Sequence, residues 1–204
     1  MYFKIKIFCD NLSSQFNVIS KNRKNTLENI ANYITLKQKE NKPIHLVYIC
    51  THNSRRSQFG QIWSRVAADY YQIKNINTYS GGTETTSFNM NAIHSLHRLG
   101  FEINSKNDSL NPIYEVYYDS VKTPINCFSK LYNHSANPNS NFAAIMTCSD
   151  AEENCPFIPE ADIRLLTTYS DPKEFDYTSL QDIKYDERCK EIALETFYVF
   201  SLIK

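Results

Sequence analysis

Residues 47–57 combine a cysteine at the end of an apolar run with an arginine six positions later, Cys50 and Arg56. The residues between them are mostly short and polar, which suits a loop whose backbone amides turn toward one centre. Such a loop, followed by a helix N-terminus, favours an anion, and an arginine fork binds two of the anion's oxygens. The same field stabilises a cysteine thiolate. The pattern therefore predicts a site where a phosphate-like oxyanion meets the thiolate of Cys50.

Residues 50–57, Cys-Thr-His-Asn-Ser-Arg-Arg-Ser, resemble the active-site loop of low-molecular-weight protein tyrosine phosphatases and of thioredoxin-coupled arsenate reductases. Residues 80–84 resemble the serine-small-glycine turn of the family, and Asp171 with Pro172 resembles its late aspartate-proline pair. The resemblance implies that Cys50 is the nucleophile, Arg56 the oxyanion clamp and Asp171 the general acid. It also implies that Ser57 donates a hydrogen bond to the thiolate. The expected anion-binding residues are Thr51, His52, Asn53, Ser54, Arg55, Arg56 and Ser57. We call residues 50–57 the anion loop.

Two positions of the anion loop depart from the usual pattern of the family. His52 stands where most members have glycine or another small or apolar residue, and Arg55 precedes the clamp. Because histidine tolerates a positive φ less well than glycine, we expect the backbone at His52 to differ from the pattern or to be strained. Arg55 either adds anion affinity or faces solvent. Gln61 replaces an acidic residue that helps to bind potassium in some arsenate reductases, so the resemblance does not extend to a potassium site here. No metal ligand and no cofactor belong to the expected site.

A second pair of cysteines, Cys148 and Cys155, distinguishes two branches of this family. Their segment resembles the redox segment of the thioredoxin-coupled arsenate reductases, in which two cysteines seven residues apart complete the reaction. The resemblance implies a thiol relay from Cys50 to Cys148 to Cys155, with a thioredoxin-like reductant as partner. One alternative is that both cysteines are small buried hydrophobic residues. Zinc binding is a weaker alternative, because the spacing does not fit a C-x-x-C site.

The runner-up function is a low-molecular-weight tyrosine phosphatase that forms a phosphocysteine at Cys50. A tyrosine-rich insertion favours it, because aromatic side chains beside the site would stack on a phosphotyrosine ring; the alternative is ordinary packing of a hairpin. The residues in question are Tyr114, Tyr117, Tyr118 and Phe128. A non-catalytic phosphoprotein-binding module is a third hypothesis, and the intact Cys50, Arg56 and Asp171 argue against it.

Alternating strand-like and helix-like segments position these residues. An apolar run at residues 44–49 predicts a buried strand before the anion loop, and helical spacing follows from about residue 57 to residue 71. Further strands are expected at residues 76–79, 142–147 and 163–167, with a tight turn at 80–82. Helices are expected at about 25–40 with Asn25 as the cap, at 89–99 ending at Gly100, and at 180–203 with Ile183 in its apolar stripe.

This alternation predicts an α/β three-layer sandwich with a four-stranded parallel sheet. The predicted organisation is an N-terminal extension, partly helical, over residues 1–43 and a phosphatase- or arsenate reductase-like domain over 44–204. A β-hairpin insertion is expected at about 105–141, formed by the strand-like runs 113–118 and 125–128.

Composition limits the possible partners. The 22 basic and 22 acidic residues balance, so no summed field favours nucleic acid. We find neither a signal peptide nor a membrane span in the sequence, and six cysteines without a secretory signal are more typical of reduced thiols. We therefore expect a cytoplasmic enzyme that acts on a small oxyanion, arsenate or phosphate, or on phosphotyrosine.

Overall fold

The computed structural model describes residues 1–149 and 157–203, and helices alternate with strands along both ranges. The described helices are α1 (Phe3–Ser13), α2 (Lys21–Lys39), α3 (Arg56–Tyr70), α4 (Met90–Leu99) and α5 (Gln181–Ser201). Short 3-10 helices span Phe16–Val18 and Pro172–Phe175. The described strands are β1 (Ile44–Cys50), β2 (Ile76–Gly82), β3 (Glu102–Ser105), β4 (Tyr114–Tyr117), β5 (Ile125–Cys127), β6 (Phe142–Met146) and β7 (Ala161–Leu166).

Four parallel strands form the main sheet in the order β2-β1-β6-β7, which confirms the predicted α/β fold. Strand β1 is central and almost wholly buried, as its continuous apolar run indicates. Its last residue, Cys50, is in register with Gly82 of β2, and Ile49 is in register with Met146 of β6. The carboxyl ends of three strands therefore meet beside Cys50.

Strand β2 corrects one sequence prediction. Residues 80–82 were expected to form a tight turn, but they continue the strand through Gly82. The Gly82 N–H donates to the Lys130 carbonyl at 2.8 Å, and the Tyr132 N–H donates to the Gly82 carbonyl at 2.9 Å. Pairing partners on both sides, one of them distant in sequence, thus keep the glycines extended.

The predicted hairpin insertion forms as β4 and β5, and it joins β3 in a three-stranded antiparallel sheet. Strand β3 was not predicted. It pairs Glu102 with Tyr117 directly after α4 ends at Gly100, whose φ of 101° is the left-handed cap expected from the sequence.

The N-terminal extension consists of two helices. Helix α2 begins earlier than predicted, because the Ser20 side chain accepts from the Arg23 N–H at 3.3 Å and so caps the first turn in place of Asn25. Helix α1 buries Ile5, Cys9 and Leu12, which lie on one helical face. The division of the chain at residue 43 stays a prediction.

The main apolar cluster lies between α5 and the helices packed against it. The buried apolar side chains of α1, α2 and α3 belong to this cluster. Helix α5 buries Ile192, Phe197 and Phe200. Ile183 is 53% exposed, so its place in the apolar stripe was predicted wrongly. Among the described residues, no helix has the length and apolar character needed to cross a bilayer.

Candidate active site

Cys50 ends β1 and Arg56 begins α3, so the anion loop connects the central strand to the helix that covers it. Cys50 is buried, and its Sγ lies 3.0 Å from the Ser57 Oγ. The Asn53 Nδ2 donates to the same Ser57 oxygen at 2.8 Å. When Cys50 is a thiolate its sulfur can only accept, so in that state the Ser57 hydroxyl donates to it. This geometry suits the role expected of Ser57, a hydrogen bond that favours the thiolate.

Asn53 holds the anion loop in shape. It is fully buried and has a φ of 47°, a left-handed conformation that asparagine tolerates better than most residues. Its Oδ1 accepts from the Lys130 N–H at 3.0 Å, and its carbonyl accepts from the Gln58 Nε2 at 2.9 Å. His52 does not have a positive φ, so the strain expected there does not arise.

Side chains and backbone outside the loop fix its two ends. The Ser54 Oγ donates to the Ser87 carbonyl at 2.7 Å, and the Glu84 N–H donates to the Thr51 carbonyl at 2.8 Å. His52 lies at the rim, where its Nε2 is 3.2 Å from the Glu84 carboxylate. These contacts tie the loop to the segment that follows β2.

Gly82 is required for the close approach of that segment. A Cβ added at Gly82 would lie 2.6 Å from the Thr51 carbonyl oxygen and 2.9 Å from the Asn53 nitrogen, and it would also overlap the Glu84 carbonyl oxygen. All three atoms belong to backbone and cannot rotate away. The serine-glycine-glycine sequence therefore serves the packing of a strand end against the anion loop.

Arg56 and Asp171 lie together at this site. The Arg56 Nη2 donates to the Asp171 Oδ2 at 2.7 Å, and its Nη1 donates to the Tyr169 carbonyl at 2.8 Å. The Arg56 Nε is buried and has no hydrogen-bond partner among the described residues. Asp171 also accepts from the Lys173 N–H at 3.1 Å, which caps the following 3-10 helix. The proposed clamp and the proposed acid are thus in direct contact.

Arg55 is buried, which excludes the solvent-facing alternative. Its Nε donates to the Tyr185 hydroxyl at 2.7 Å, and its Nη2 lies 3.3 Å from the Asp176 carboxylate. The Tyr185 hydroxyl donates to Asp176 at 2.7 Å, and burial raises the pKa of Tyr185 to about 12. Asp176 therefore offsets the charge of Arg55, and this triad anchors the loop to α5. Sequence analysis missed both partners, because no local pattern connects them to Arg55.

Cys148 lies beside the anion loop, just after β6. Its thiol is buried, and its Sγ is 3.5 Å from the Thr51 Oγ1. The preceding residue, Thr147, donates its N–H to the Ile49 carbonyl at 2.7 Å, so the two strand ends are bonded directly. Cys50 and Cys148 share one small apolar cluster. Cys155, the second residue of the predicted pair, lies outside the described residues.

Three other cysteines and the histidine His97 take no part in the described contacts of the anion loop. Burial raises the pKa values of Cys9, Cys127 and Cys189 to about 12, so these thiols stay protonated near neutral pH. His97 lies on α4 with its Nδ1 3.1 Å from the Phe101 carbonyl oxygen. Within residues 1–149 and 157–203, no cluster of three or more His, Cys, Asp or Glu side chains is arranged to hold a metal.

The aromatic residues of the insertion do not form one wall beside Cys50. Tyr118 is buried and donates to Asp69 at 2.6 Å, near the C-terminal end of α3 and about 20 Å along the helix from the anion loop. Tyr114 packs against Phe88, and Tyr117 donates to Glu115 in its own strand. Ordinary packing of the insertion accounts for these side chains.

Comparison with known proteins places this geometry in context. No protein-family model matches the chain. The chain is 28% identical over 153 residues to an arsenate reductase from Staphylococcus aureus (strain Newman), which covers 74% of this chain and 94% of that protein.

Solved structures show the fold. A YwlE mutant from Bacillus subtilis matches with a TM-score of 0.53 and 13% identity over 78% of this chain and 97% of that one. A low-molecular-weight phosphotyrosine phosphatase from Vibrio cholerae O395 matches with a TM-score of 0.50 and 14% identity over 78% of this chain and 95% of that one. The chain therefore has the fold of the low-molecular-weight phosphatases and is similar in sequence to an arsenate reductase.

Proposed function

We propose that the chain is an arsenate reductase that uses a thiol relay from Cys50 to Cys148 to Cys155. The observation that carries this proposal is the position of Cys148, whose buried thiol lies 3.5 Å from the Thr51 side chain, next to Cys50. A second thiol at the nucleophile is needed for reduction and has no role in phosphate ester hydrolysis. The sequence similarity to an arsenate reductase supports the same choice.

The first step forms a bond between sulfur and arsenic. The Cys50 thiolate attacks arsenate held by the loop amides and Arg56, and the departing oxygen leaves as water or hydroxide with help from Asp171. The Ser57 hydroxyl lies 3.0 Å from the Cys50 sulfur, where it can donate a hydrogen bond to the attacking thiolate. Arsenic is still pentavalent at this point.

The second step transfers two electrons. The Cys148 thiolate attacks the sulfur of Cys50, a Cys50–Cys148 disulfide forms, and the electron pair of the sulfur-arsenic bond stays with arsenic, which leaves as arsenite. Ile49 and Met146 are register partners in the neighbouring strands β1 and β6. Cys50 and Cys148 therefore lie at the adjacent carboxyl ends of these two strands. Bridging requires Cα atoms within about 7 Å, a separation that adjacent strands supply.

The third step regenerates the nucleophile. The Cys155 thiolate attacks the sulfur of Cys148, Cys50 leaves as thiolate, and a Cys148–Cys155 disulfide remains for a thioredoxin-like dithiol to reduce. The seven-residue spacing of the two cysteines supports this step. Turnover then requires a reducing compartment, which agrees with the cytoplasmic location expected from the sequence.

A phosphatase is the second candidate, because Arg56 and Asp171, which are in direct contact, would serve ester hydrolysis as well. Hydrolysis of a phosphate ester needs a nucleophile, a clamp and an acid, and Cys50, Arg56 and Asp171 supply all three without further cysteines. Such an enzyme would form a phosphocysteine at Cys50, and water would hydrolyse this intermediate to release phosphate. The two candidates therefore share the anion loop and differ only in their need for Cys148 and Cys155.

Three serine substitutions separate the candidates. Cys50→Ser is expected to abolish both arsenate reduction with thioredoxin and hydrolysis of p-nitrophenyl phosphate. Cys148→Ser and Cys155→Ser are expected to stop multiple-turnover arsenate reduction and to retain hydrolysis of the aryl phosphate. Cys9→Ser, on α1 away from the loop, controls for the loss of a buried thiol.

Two results would reject the proposed reductase with its thiol relay. One is a wild-type enzyme that hydrolyses phosphotyrosine well and reduces no arsenate with any dithiol donor. The other is arsenate reduction that continues unchanged in both Cys148→Ser and Cys155→Ser. Survival of either activity in Cys50→Ser would reject the nucleophile itself and with it both candidates.

A further inference from the structure

Lys130 is a buried lysine next to the anion loop with no role in the reaction described above. Its backbone connects the loop to β2, because its N–H donates to the Asn53 side chain at 3.0 Å and its carbonyl accepts from the Gly82 N–H at 2.8 Å. The residue is 3% exposed. Its side chain therefore lies inside the protein, against the residues that support the loop.

The groups that directly contact the Lys130 ammonium are neutral. Its Nζ lies 3.5 Å from the Ser80 Oγ and 4.6 Å from the centre of the Phe128 ring. Ser80 donates to the Oε1 of Gln61 at 2.6 Å and lies 3.3 Å from the Oε1 of Gln58. Gln58 in turn donates to the Asn53 carbonyl. A short chain of hydrogen bonds thus connects the ammonium to the anion loop.

No carboxylate of the described residues forms an ion pair with Lys130. Its ammonium lines a cavity of about 710 Å³ beside β2, together with Arg65, Lys106 and Lys122. These three cations are paired: Arg65 and Lys122 with Asp69, and Lys106 with Glu115. The nearby Cys127 is a neutral thiol, because burial raises its pKa to about 12.

An unpaired buried cation is costly unless an anion compensates it. Burial accordingly lowers the pKa of Lys130 to about 8. The arginines nearest the reaction are already engaged, since Arg55 pairs with Asp176 and Arg56 contacts Asp171. The anion that approaches this part of the molecule during the reaction is the Cys50 thiolate or the oxyanion bound above it.

We propose that Lys130 is a positioning residue whose buried ammonium, connected to the anion loop through Ser80 and Gln58, stabilises the anion-bound state of the loop. This inference rests on the proposed function only in requiring that the loop binds an oxyanion. The insertion then has a defined role, because it delivers one compensating charge to the site. Protonation of Lys130 then strengthens anion binding, and by thermodynamic linkage a bound anion raises the pKa of Lys130 to the same extent.

Lys130→Met tests the charge, because it keeps the backbone bonds to Asn53 and Gly82 and a side chain of similar length. We expect inorganic phosphate, measured by titration calorimetry, to bind the variant roughly tenfold more weakly than wild type at pH 7. The ratio of the two affinities is expected to approach one by about pH 10, where wild-type Lys130 has lost its proton. Lys122→Met, on the wall of the same cavity, is the matched control and should keep the wild-type affinity.

A second measurement needs no variant. The Cε resonance of ¹³C-labelled Lys130 reports its titration, and saturating phosphate should raise the midpoint by about one pH unit, the reciprocal of the tenfold effect. Equal phosphate affinity in Lys130→Met and wild type, or a midpoint that phosphate does not move, would overturn the inference. A wild type that binds phosphate and shows both effects but reduces no arsenate would reject the proposed reductase and leave the role of Lys130 standing.

Discussion

Replacement of Gly82 by alanine tests whether the end of β2 fixes the anion loop. The added methyl would lie 2.6 Å from the Thr51 carbonyl oxygen and 2.9 Å from the Asn53 nitrogen, far inside normal contact distances. Gly82 cannot withdraw, because it is in register with Cys50 on one side and bonded to Lys130 and Tyr132 on the other. The loop must therefore move by several tenths of an ångström.

Two magnitudes follow from this overlap. Overpacking of this kind costs about 1 to 3 kcal/mol in the free energy of unfolding. Displacement of the loop also moves Cys50 relative to the bound oxyanion, and a misplacement approaching 1 Å costs up to about 10²-fold in rate. We therefore expect Gly82→Ala to lose between about 10-fold and 10²-fold in kcat/KM for p-nitrophenyl phosphate, together with the stability loss.

Gly81→Ala is the matched control. Its methyl would project to the other face of β2, where it would overlap the Cα of Tyr132 and lie 2.8 Å from the Tyr132 nitrogen, away from the loop. Urea unfolding should show comparable losses for both variants, whereas kcat/KM should fall sharply only in Gly82→Ala. Equal activity of the two variants, or a fully active Gly82→Ala, would refute the reasoning.

Three further variants test other contacts. Asp171→Asn should slow hydrolysis of an ester with a poor leaving group by roughly 10²- to 10⁴-fold, and an unchanged rate would assign the acid elsewhere. Tyr185→Phe leaves the Nε of Arg55 and the carboxylate of Asp176 each with one partner fewer, so urea unfolding should show a loss of about 1 to 3 kcal/mol, while Tyr177→Phe, at an exposed position, should show none. Lys130→Met should be more stable than wild type by on the order of 2 to 3 kcal/mol at pH 7 without ligand. The folded-state pKa of Lys130, about 8, lies below the unfolded value of 10.5, so the stability of the wild type rises with pH between those two values. The stability difference between Lys130→Met and the wild type should therefore vanish by about pH 10.5. A stability difference that stays constant from about pH 8 to about pH 10.5 would contradict this pKa.

The parts of the molecule that could be predicted from sequence are those in which contiguous residues determine the structure. The anion loop is one segment between an apolar strand and an amphipathic helix, so Cys50 and the start of α3 were within reach of a local argument, whereas the role of Ser57 came from the family resemblance. The alternation of strand-like and helix-like segments is also visible in contiguous residues, and it predicted the parallel sheet. The capped end of α4 at Gly100 is a further local signal.

The features that were missed depend on partners distant in sequence. Residues 80–82 are extended because residues 130–132 pair with them, and nothing in the Ser-Gly-Gly pattern reveals that partner. Arg55 is buried because Tyr185 and Asp176 lie opposite it. Lys130 has an ordinary sequence context, and only the fold shows that its side chain is buried against Ser80 of β2.

The central claim is that Cys148 attacks the sulfur of Cys50, and trapping that intermediate tests it most directly. Cys155→Ser blocks the following step, so one equivalent of arsenate should convert this variant to a Cys50–Cys148 disulfide with release of one arsenite. Alkylation of the remaining thiols, followed by peptide mass spectrometry, would detect the bridge. The account predicts that the Cys50 and Cys148 peptides are recovered covalently joined. Both cysteines recovered fully alkylated after arsenate, in a protein that still hydrolyses p-nitrophenyl phosphate, would contradict it.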